Sequence, residues 1–445
     1  MSGTELKSNI LRLLKWGENM RNKGKIEEAF KLAKEILLER GVDVENALER
    51  LKQISISIPC WQGDDITGFE KSDARLEGGG LKVTGHFFGK PRTIDELRMD
   101  LEKAFSLLPG HHRLNLHSIY GEFGTKKVSR DQMEASHFEG WVDWAGQNDI
   151  KLDFNATCFS HPQADSGFTL SSKERGIRSF WIEHVKRCRE ISAYMGRSLQ
   201  SPCIHNLWIP DGMKDIPVDR RTHRILLRES LDEIYSEDFG PEEMKDSLES
   251  KLFGIGSESY VVGSHEFYFG YALSRGKMLC LDAGHFHPTE SLSDKISAVL
   301  LFFNELLLHL SRGVRWDSDH VVIMNDDLRS IAEEVVRNDA LGRTHIAMDF
   351  FDASMNRVGA WIVGARATLK SFLYALLQPE EKLRRFEEEG DFFSRLALLE
   401  EMKALPFGVI WDYYCLKMDV PPSDKWIEDI KQYESEVLST RNGLK

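Results

Sequence analysis

Eight short apolar segments rich in β-forming residues recur through the middle of the chain, separated by longer stretches with helical spacing. This alternation is typical of α/β folds, and eight parallel strands close a (β/α)₈ barrel, or TIM barrel. An open doubly wound sheet would favour a glycine-rich turn after its first strand, and the sequence has none there. We therefore predict barrel strands within Ile54–Gln62, Arg113–Gly121, Lys151–Ser160, Cys203–Pro210, Leu248–Ile255, Met278–Phe286, Leu306–Arg312 and Thr344–Asp352.

Both ends of the chain have helical patterns instead. ILRLLKW and EEAFKLAKEILLER near the N-terminus, and WIEDIKQYESEVL near the C-terminus, carry the i, i+3/i+4 spacing of amphipathic helices. The sequence therefore predicts three parts: an N-terminal helical segment over residues 1–53, a barrel over 54–365, and a C-terminal helical extension over 366–445.

Charge and cysteine content narrow the possible partners. The 445-residue chain has a net charge of −13, which disfavours nucleic acid and anionic membranes and leaves small neutral ligands and metal cations. Its six cysteines are scattered without a CxxC pair, as expected for reduced, buried thiols. The N-terminus lacks an apolar stretch of signal-peptide length, and the longest apolar run, Ala298–Phe303, is too short to span a bilayer. We expect a cytoplasmic protein.

The stretch RWDSDHVV is unusual for a core strand, because Asp317 and Asp319 would lie on the same face. Like charges this close repel unless a proton or a cation lies between them. Other acids and histidines occur near the ends of the last four predicted strands, where barrel closure would bring them together. These residues are Glu249, Asp282, His285, His309 and Asp349.

This set of carboxylates and imidazoles is sufficient for two divalent cations, and oxygen-rich ligand shells with one histidine each favour Mn²⁺, Mg²⁺ or Co²⁺. An isolated strand-end carboxylate is usually solvated, and an isolated buried histidine is usually a hydrogen-bonded core residue. We prefer that simpler interpretation for Asp326–Asp327 and His111–His112. It is weaker for DAGHFHP and RWDSDH, where a buried, uncompensated carboxylate would cost several kcal/mol.

Several longer motifs resemble segments of the bacterial L-rhamnose isomerase family, and the likeness extends over almost the whole chain. These motifs are WQGDD, LHSIYG, FSHP, ESKLFGIG, LCLDAGHFHPTE, LLLH, RWDSDHVV and MDFFDAS. The resemblance implies a metal-dependent (β/α)₈ aldose–ketose isomerase that forms homotetramers. In such an enzyme the barrel over residues 54–365 would be catalytic, and the C-terminal helical extension over 366–445 would serve oligomerisation. It also implies two divalent cations per subunit, with Mn²⁺ preferred and Co²⁺, Zn²⁺ or Mg²⁺ as alternatives.

The resemblance further implies a role for individual residues. One cation would be held by Glu249, Asp282, His309 and Asp349, and a second, catalytic cation by His285, Asp317 and Asp319. Lys251 would lie near the sugar O1, Trp208 would form a wall of the substrate site, and His117 would face the ring oxygen. The implied catalytic residues are therefore Lys251, His117 and Asp319.

Conversion of an aldose into a ketose moves a hydrogen from C2 to C1, either as a proton through an enediol or as a hydride. Two cations favour the hydride shift, because they polarise the carbonyl and stabilise the O2 alkoxide. His117 would assist ring opening as an acid–base group or would only position the substrate; both interpretations remain open here. Lys251 is expected to donate a hydrogen bond to O1 rather than to form a Schiff base.

The interconversion of L-rhamnose and L-rhamnulose is thus the expected reaction. We expect Trp61, Tyr120, Trp208 and Phe351 to receive the methyl group of a 6-deoxy sugar, a preference of about 1–3 kcal/mol that would leave related aldoses as slower substrates. The alternatives are an isomerase of the same design acting mainly on another aldose, a metal-dependent barrel phosphoesterase, and a sugar-binding protein without turnover. The acidic chain has no glycine-rich anion loop, which disfavours the phosphoesterase.

Overall fold

The computed structural model describes residues 23–70, 85–124, 127–251, 258–314 and 319–441. Its centre is a closed barrel of eight parallel strands, which confirms the predicted (β/α)₈ architecture. Each strand pairs with its sequence neighbours, and the first closes the barrel by pairing Ile56 with Ile346 of the last. The strands are β1 (Ile56–Pro59), β2 (Arg113–His117), β3 (Lys151–Asn155), β4 (Cys203–Leu207), β5 (Met244–Glu249), β6 (Met278–Asp282), β7 (Leu306–Leu310) and β8 (Thr344–Met348).

Helices surround the barrel and continue beyond it. Residues 23–38 form α1, which precedes the barrel together with α2 (Val44–Lys52). The helices between strands are α3 (Ile94–Phe105), α4 (Glu139–Gln147), α5 (Arg175–Leu199), α6 (Arg220–Ile234), α7 (His265–Arg275), α8 (Ser293–Leu300) and α9 (Asp326–Arg337). After β8 follow α10 (Arg357–Leu376), α11 (Glu380–Glu388), α12 (Phe392–Met402), α13 (Phe407–Lys417) and α14 (Lys425–Glu436). The α10 helix runs without a break across residue 365, where the sequence analysis placed the end of the barrel.

The barrel interior is filled by small and medium apolar side chains. A separate buried cluster consists of Ile204, Met278, Cys280, Leu307 and Ala347, which come from β4, β6, β7 and β8. Their chain neighbours, such as Leu279, Leu306 and Ile346, belong instead to the large outer core. Because side chains alternate between the two faces of a strand, residues two positions further along each strand also point inward. This alternation places the functional side chains above an apolar plug.

The fifth strand begins earlier than the predicted segment Leu248–Ile255. It spans Met244–Glu249, and residues 252–257 lie outside the described part of the chain. The start of the strand was not predicted, because the polar residues Lys245 and Asp246 interrupt the apolar pattern of a buried strand. In the folded chain Asp246 is 8% exposed, and its carboxylate oxygens each lie 2.9 Å from a guanidinium nitrogen of Arg189. The ion pair compensates the burial of this charge within the strand.

The cysteine prediction is confirmed, because all six cysteines are free and buried. Within the described residues, no helix is both long enough and apolar enough to cross a bilayer.

The interpretation of His112 as a hydrogen-bonded core histidine agrees with the structure, since its Nδ1 accepts a hydrogen bond from the Ile56 backbone N–H at 3.3 Å. The first turn of α9 contains Asp326 and Asp327, where acidic side chains interact favourably with the helix dipole.

Candidate metal centre at the barrel mouth

Four side chains meet at the carboxyl ends of the last four strands. Glu249 ends β5, Asp282 ends β6, His309 lies in β7, and Asp349 follows β8. Asp282 and His309 are paired across neighbouring strands. Asp282, His309 and Asp349 lie two residues after the interior residues Cys280, Leu307 and Ala347, so strand alternation turns them inward. One ligand atom from each of the four side chains lies within 4.8 Å of the others.

His309 points into the space between three carboxylates. Its Nδ1 lies 3.2 Å from Oε2 of Glu249, 3.3 Å from Oδ2 of Asp349 and 3.7 Å from Oδ2 of Asp282. The imidazole is 1% exposed, and neither ring nitrogen makes a directed hydrogen bond to the described residues. A buried polar atom without a directed partner is unusual in proteins. This orientation is expected when a ring nitrogen and the surrounding oxygens share a cation.

Glu249 is a buried carboxylate with two close neighbours besides His309. It accepts a hydrogen bond from Nδ2 of Asn206 at 2.5 Å, and Nδ1 of His285 lies 3.1 Å from its other oxygen. Burial alone would raise the pKa of Glu249, but the neighbouring His309 and His285 outweigh burial and hold this pKa below its usual range. Without a cation, the charged imidazoles beside Glu249 therefore favour its ionised form.

Neighbouring groups orient the other two carboxylates. Oδ1 of Asp282 accepts a hydrogen bond from the Gly284 backbone N–H at 2.6 Å, and Oδ1 of Asp349 accepts one from Trp61 Nε1 at 3.1 Å. In both residues the second oxygen, Oδ2, is the atom that approaches His309. Each carboxylate thus has one oxygen held by the protein and one turned towards the centre.

The residues present match the divalent cation implied by the sequence resemblance. Three carboxylates within 4.8 Å of one another repel strongly in a buried site unless a positive charge lies between them. Three oxygen donors and one imidazole are the ligand chemistry of Mn²⁺, Mg²⁺ or Co²⁺ rather than of a thiolate-bound zinc. Glu249, Asp282, His309 and Asp349 could therefore hold one divalent cation.

The structure describes two of the three residues implied for the second cation. The side chain of His285 is 7% exposed and contacts Glu249, as given above. Asp319 has a positive φ of 45°, and its carbonyl accepts a hydrogen bond from the Phe351 N–H at 3.2 Å, which places its backbone beside the end of β8. Asp317 lies outside the described residues.

The remaining predicted site residues border the same mouth. Lys251 is buried, and its Nζ donates hydrogen bonds to the Pro210 carbonyl and the Glu258 carboxylate, both at 2.8 Å. His117 ends β2 and packs edge-on against Trp61 with ring centroids 4.9 Å apart. Trp208 is partly buried, and its ring centroid lies 5.8 Å from that of Phe159.

Tyr120, which was expected to line a sugar pocket, makes a buried hydrogen bond in the structure. Its side chain is fully buried, and its hydroxyl donates a hydrogen bond to Oδ1 of Asp64 at 2.5 Å. The sequence analysis also missed Asn206, Glu258 and Thr157, which contact Glu249, Lys251 and His117 respectively. Only Asn206 carried a usable sequence signal, because an amide within the apolar strand CIHNL requires a buried partner.

A closed (β/α)₈ barrel with a carboxylate–imidazole centre at its C-terminal mouth defines a class of barrel enzymes that use divalent cations. Sequence comparison identifies the family within this class. The family model of L-rhamnose isomerase matches residues 24–441. The chain belongs to the L-rhamnose isomerase family.

Two curated relatives illustrate the degree of similarity. The L-rhamnose isomerase of Rhodopirellula baltica is 58% identical over 423 residues, which cover 95% of this chain and 99% of the relative. The L-rhamnose isomerase of Escherichia coli O9:H4 is 54% identical over 416 residues, covering 94% of this chain and 99% of that protein.

Proposed function

We propose that this chain interconverts L-rhamnose and L-rhamnulose with the aid of two divalent cations, of which Mn²⁺ is the preferred ion. Family membership supports the reaction, since curated relatives at 54–58% identity carry the name L-rhamnose isomerase. The observation that carries the proposal is the convergence of Glu249, Asp282, His309 and Asp349 within 4.8 Å at the barrel mouth. A second cation would be held by His285, Asp317 and Asp319.

When bound, the cations would supply Lewis-acid polarisation of the sugar carbonyl and of the neighbouring hydroxyl oxygens. The side chains of the protein would position the sugar. Lys251 is held rigidly by Pro210 and Glu258, and its ammonium group would donate a hydrogen bond to the sugar O1. Trp208 would form one wall of the substrate site, and Trp61 and Phe351 would complete an apolar surface for the 6-deoxy methyl group.

We propose that hydrogen moves between C2 and C1 as a hydride. The carboxylates of Glu249, Asp282 and Asp349 face the candidate cation centre, and Glu258 is paired with Lys251, so these groups support the route that cations assist. A substrate deuterated at C2 tests this step. Retention of deuterium at C1 of the ketose supports the hydride shift, whereas exchange of the label into water would support an enediol.

The experiment that tests the function is an assay with controlled metal content. The protein is stripped with a chelator, Mn²⁺ is restored, and the conversion of L-rhamnose to the ketose is measured. The proposal requires turnover that depends on the added cation. Absence of turnover with Mn²⁺, Co²⁺, Zn²⁺ or Mg²⁺ would overturn it, and a higher kcat/KM for another aldose would replace L-rhamnose as the main substrate.

The assembly and the location are further proposals. We propose a homotetramer in which the C-terminal helical extension contributes contacts between subunits, together with a cytoplasmic location. Exposed apolar side chains on α12 support a contact surface there, since Phe392, Phe393 and Leu396 are 59%, 81% and 59% exposed. Sedimentation equilibrium measures the oligomeric state directly, and a monodisperse monomer would contradict the tetramer.

A further inference from the structure

The imidazole of His117 contacts a hydroxyl group rather than a carboxylate. Its Nδ1 lies 3.1 Å from Oγ1 of Thr157, which follows β3. The ring is otherwise bordered by aromatic side chains, Trp61 at 4.9 Å and Phe159 at 5.6 Å between ring centroids. A neutral imidazole carries its proton on one nitrogen only, and the hydrogen bond at the other nitrogen determines which one. Thr157 is therefore the group that sets the state of His117.

Thr157 is fixed independently of His117. Its backbone N–H donates to Nε2 of His184 at 3.1 Å, and its carbonyl accepts from the Arg130 guanidinium at 2.7 Å. A backbone N–H can only donate, so Nε2 of His184 is unprotonated and Nδ1–H donates to the Arg130 carbonyl at 3.0 Å. Arg130 is in turn paired with Glu70 at 2.8 Å. These contacts hold the Thr157 backbone in one place beside His117.

The hydroxyl of Thr157 has two partners among the described residues. Ser118 Oγ donates to it at 2.9 Å, and His117 Nδ1 is the other partner. The bond from Ser118 uses a lone pair of Oγ1, so the single hydroxyl hydrogen of Thr157 is left for Nδ1 of His117. Thr157 is fully buried, and a buried hydroxyl hydrogen without an acceptor would be costly. Nδ1 of His117 is thus an acceptor, and Nε2 carries the proton.

Burial also keeps His117 neutral, because it lowers the pKa of His117 to about 3. A neutral imidazole is a very weak acid, since loss of its remaining proton would leave an imidazolate. With Nδ1 occupied by the Thr157 hydroxyl, His117 has no free lone pair with which to accept a proton. The remaining function of Nε2–H is hydrogen-bond donation.

We propose that Thr157 is a positioning residue that holds His117 in the Nε2–H form, so that His117 donates a hydrogen bond to a sugar oxygen and exchanges no proton with it. This inference rests on the proposed function for the identity of the ligand. It decides between the two roles that the sequence left open for His117, in favour of substrate positioning.

The tautomer can be observed without turnover. In the protein loaded with diamagnetic Mg²⁺ and labelled with ¹⁵N-histidine, long-range ¹H–¹⁵N correlation spectra, assigned with His117→Gln, should show His117 Nε2 bearing the proton and Nδ1 as an acceptor between pH 5 and 8. In Thr157→Val, which keeps the shape and removes the hydroxyl, the Nδ1 resonance should shift, and Thr157→Ser should restore it. A proton on Nδ1 of the wild-type protein, or an unchanged resonance in Thr157→Val, would overturn the inference.

Kinetic measurements with L-rhamnose distinguish hydrogen-bond donation by His117 from proton transfer by His117. The amide nitrogen of a glutamine can replace Nε2–H, whereas phenylalanine cannot, so His117→Gln should keep kcat within about tenfold of the wild type and His117→Phe should raise KM by about tenfold or more. The pH profile of kcat/KM should be the same for His117→Gln and the wild type. If His117→Gln loses kcat as completely as His117→Phe, or if its pH profile loses an ionisation, His117 transfers a proton and the inference fails.

The two proposals can fail separately. A wild-type protein that does not turn over L-rhamnose contradicts the proposed function, while the spectra still decide the tautomer. A wild-type protein that turns over normally but has Nδ1 of His117 protonated contradicts only the role of Thr157.

Discussion

The indole Nε1 of Trp61 donates a hydrogen bond to Oδ1 of Asp349 at 3.1 Å. Trp61 follows the first barrel strand and Asp349 follows the last, so their contact depends on closure of the barrel. Neighbouring contacts reinforce this junction. Gln62 donates from its side chain to the Asp352 carbonyl at 3.1 Å and accepts from the Asp352 N–H at 2.7 Å. The same junction therefore closes the barrel and orients one of the candidate ligands.

Removal of the indole hydrogen bond should weaken cation binding. Trp61→Phe leaves an aromatic ring but no donor for Asp349, and loss of such an orienting bond typically lowers metal affinity by about 10–100-fold. Titration of the chelator-stripped protein with Mn²⁺, followed by electron paramagnetic resonance of the free ion, measures the change. Trp426→Phe in α14 is the matched control and should bind Mn²⁺ like the wild type. Equal affinities for all three proteins would mean that the bond does not orient Asp349 for a cation.

Cation binding should stabilise the folded protein. At about 100 times its dissociation constant, a cation that binds only the folded state adds about 2.7 kcal/mol to the free energy of unfolding. Urea titrations of the stripped protein with and without Mn²⁺ measure this gain. Glu249→Gln should lose a large part of it, whereas Asp95→Asn, which alters an exposed carboxylate, should retain it. A full gain in Glu249→Gln would exclude Glu249 as a ligand.

The buried pair of Arg189 and Asp246 should be important for folding. Their side chains are 2% and 5% exposed, and Lys277 Nζ also lies 3.0 Å from Asp246. Asp246→Asn removes the counter-charge of the buried Arg189 and one of the two carboxylates beside Lys277, and it should lower the free energy of unfolding by roughly 3–5 kcal/mol. Glu400→Gln, which breaks the exposed contact between Glu400 and Lys403, should change it by less than about 0.5 kcal/mol. Urea denaturation of both variants would contradict the prediction if the two losses were similar.

Asp64 should make the folded protein more stable as the pH falls. A salt-bridged acid has the opposite effect. Burial raises the pKa of Asp64 to about 6, above its value in the unfolded chain, so the folded state favours the protonated form. As pH falls from 7 to 5, this residue should therefore add about 1 kcal/mol to the free energy of unfolding.

The measurement compares wild type and Asp64→Asn by urea denaturation at pH 7 and pH 5, both without metal. Asparagine cannot titrate, so the difference between the two proteins should change by this amount between the two pH values. The same difference at both pH values would show that Asp64 titrates normally.

The barrel could be predicted because each strand has its own short apolar segment, and eight such segments alternate with helical stretches along the sequence. Asp282 and His309 could be identified as candidate ligands for the same reason, since each lies in a strongly apolar strand that tolerates a charge only with a partner. The start of β5 was missed because the partner of Asp246 is Arg189, which is 57 residues away in the sequence. The contact of Thr157 with His117 was equally hidden, because a threonine after a strand has many possible roles. Local sequence patterns could predict the helices and strands, but they could not predict contacts between polar residues that are distant in the sequence.

The closing pair of strands also determines when the centre can form during synthesis. Glu249, Asp282 and His309 leave the ribosome before Asp349, and Asp349 is oriented by Trp61 only after β8 has paired with β1. A chain truncated before residue 344 would contain three of the four donors. It would lack Asp349 and the last strand, so the barrel could not close around the donors. Under the proposed function, the four-ligand centre can therefore be complete only after β8 has been synthesised and the two ends of the barrel have met.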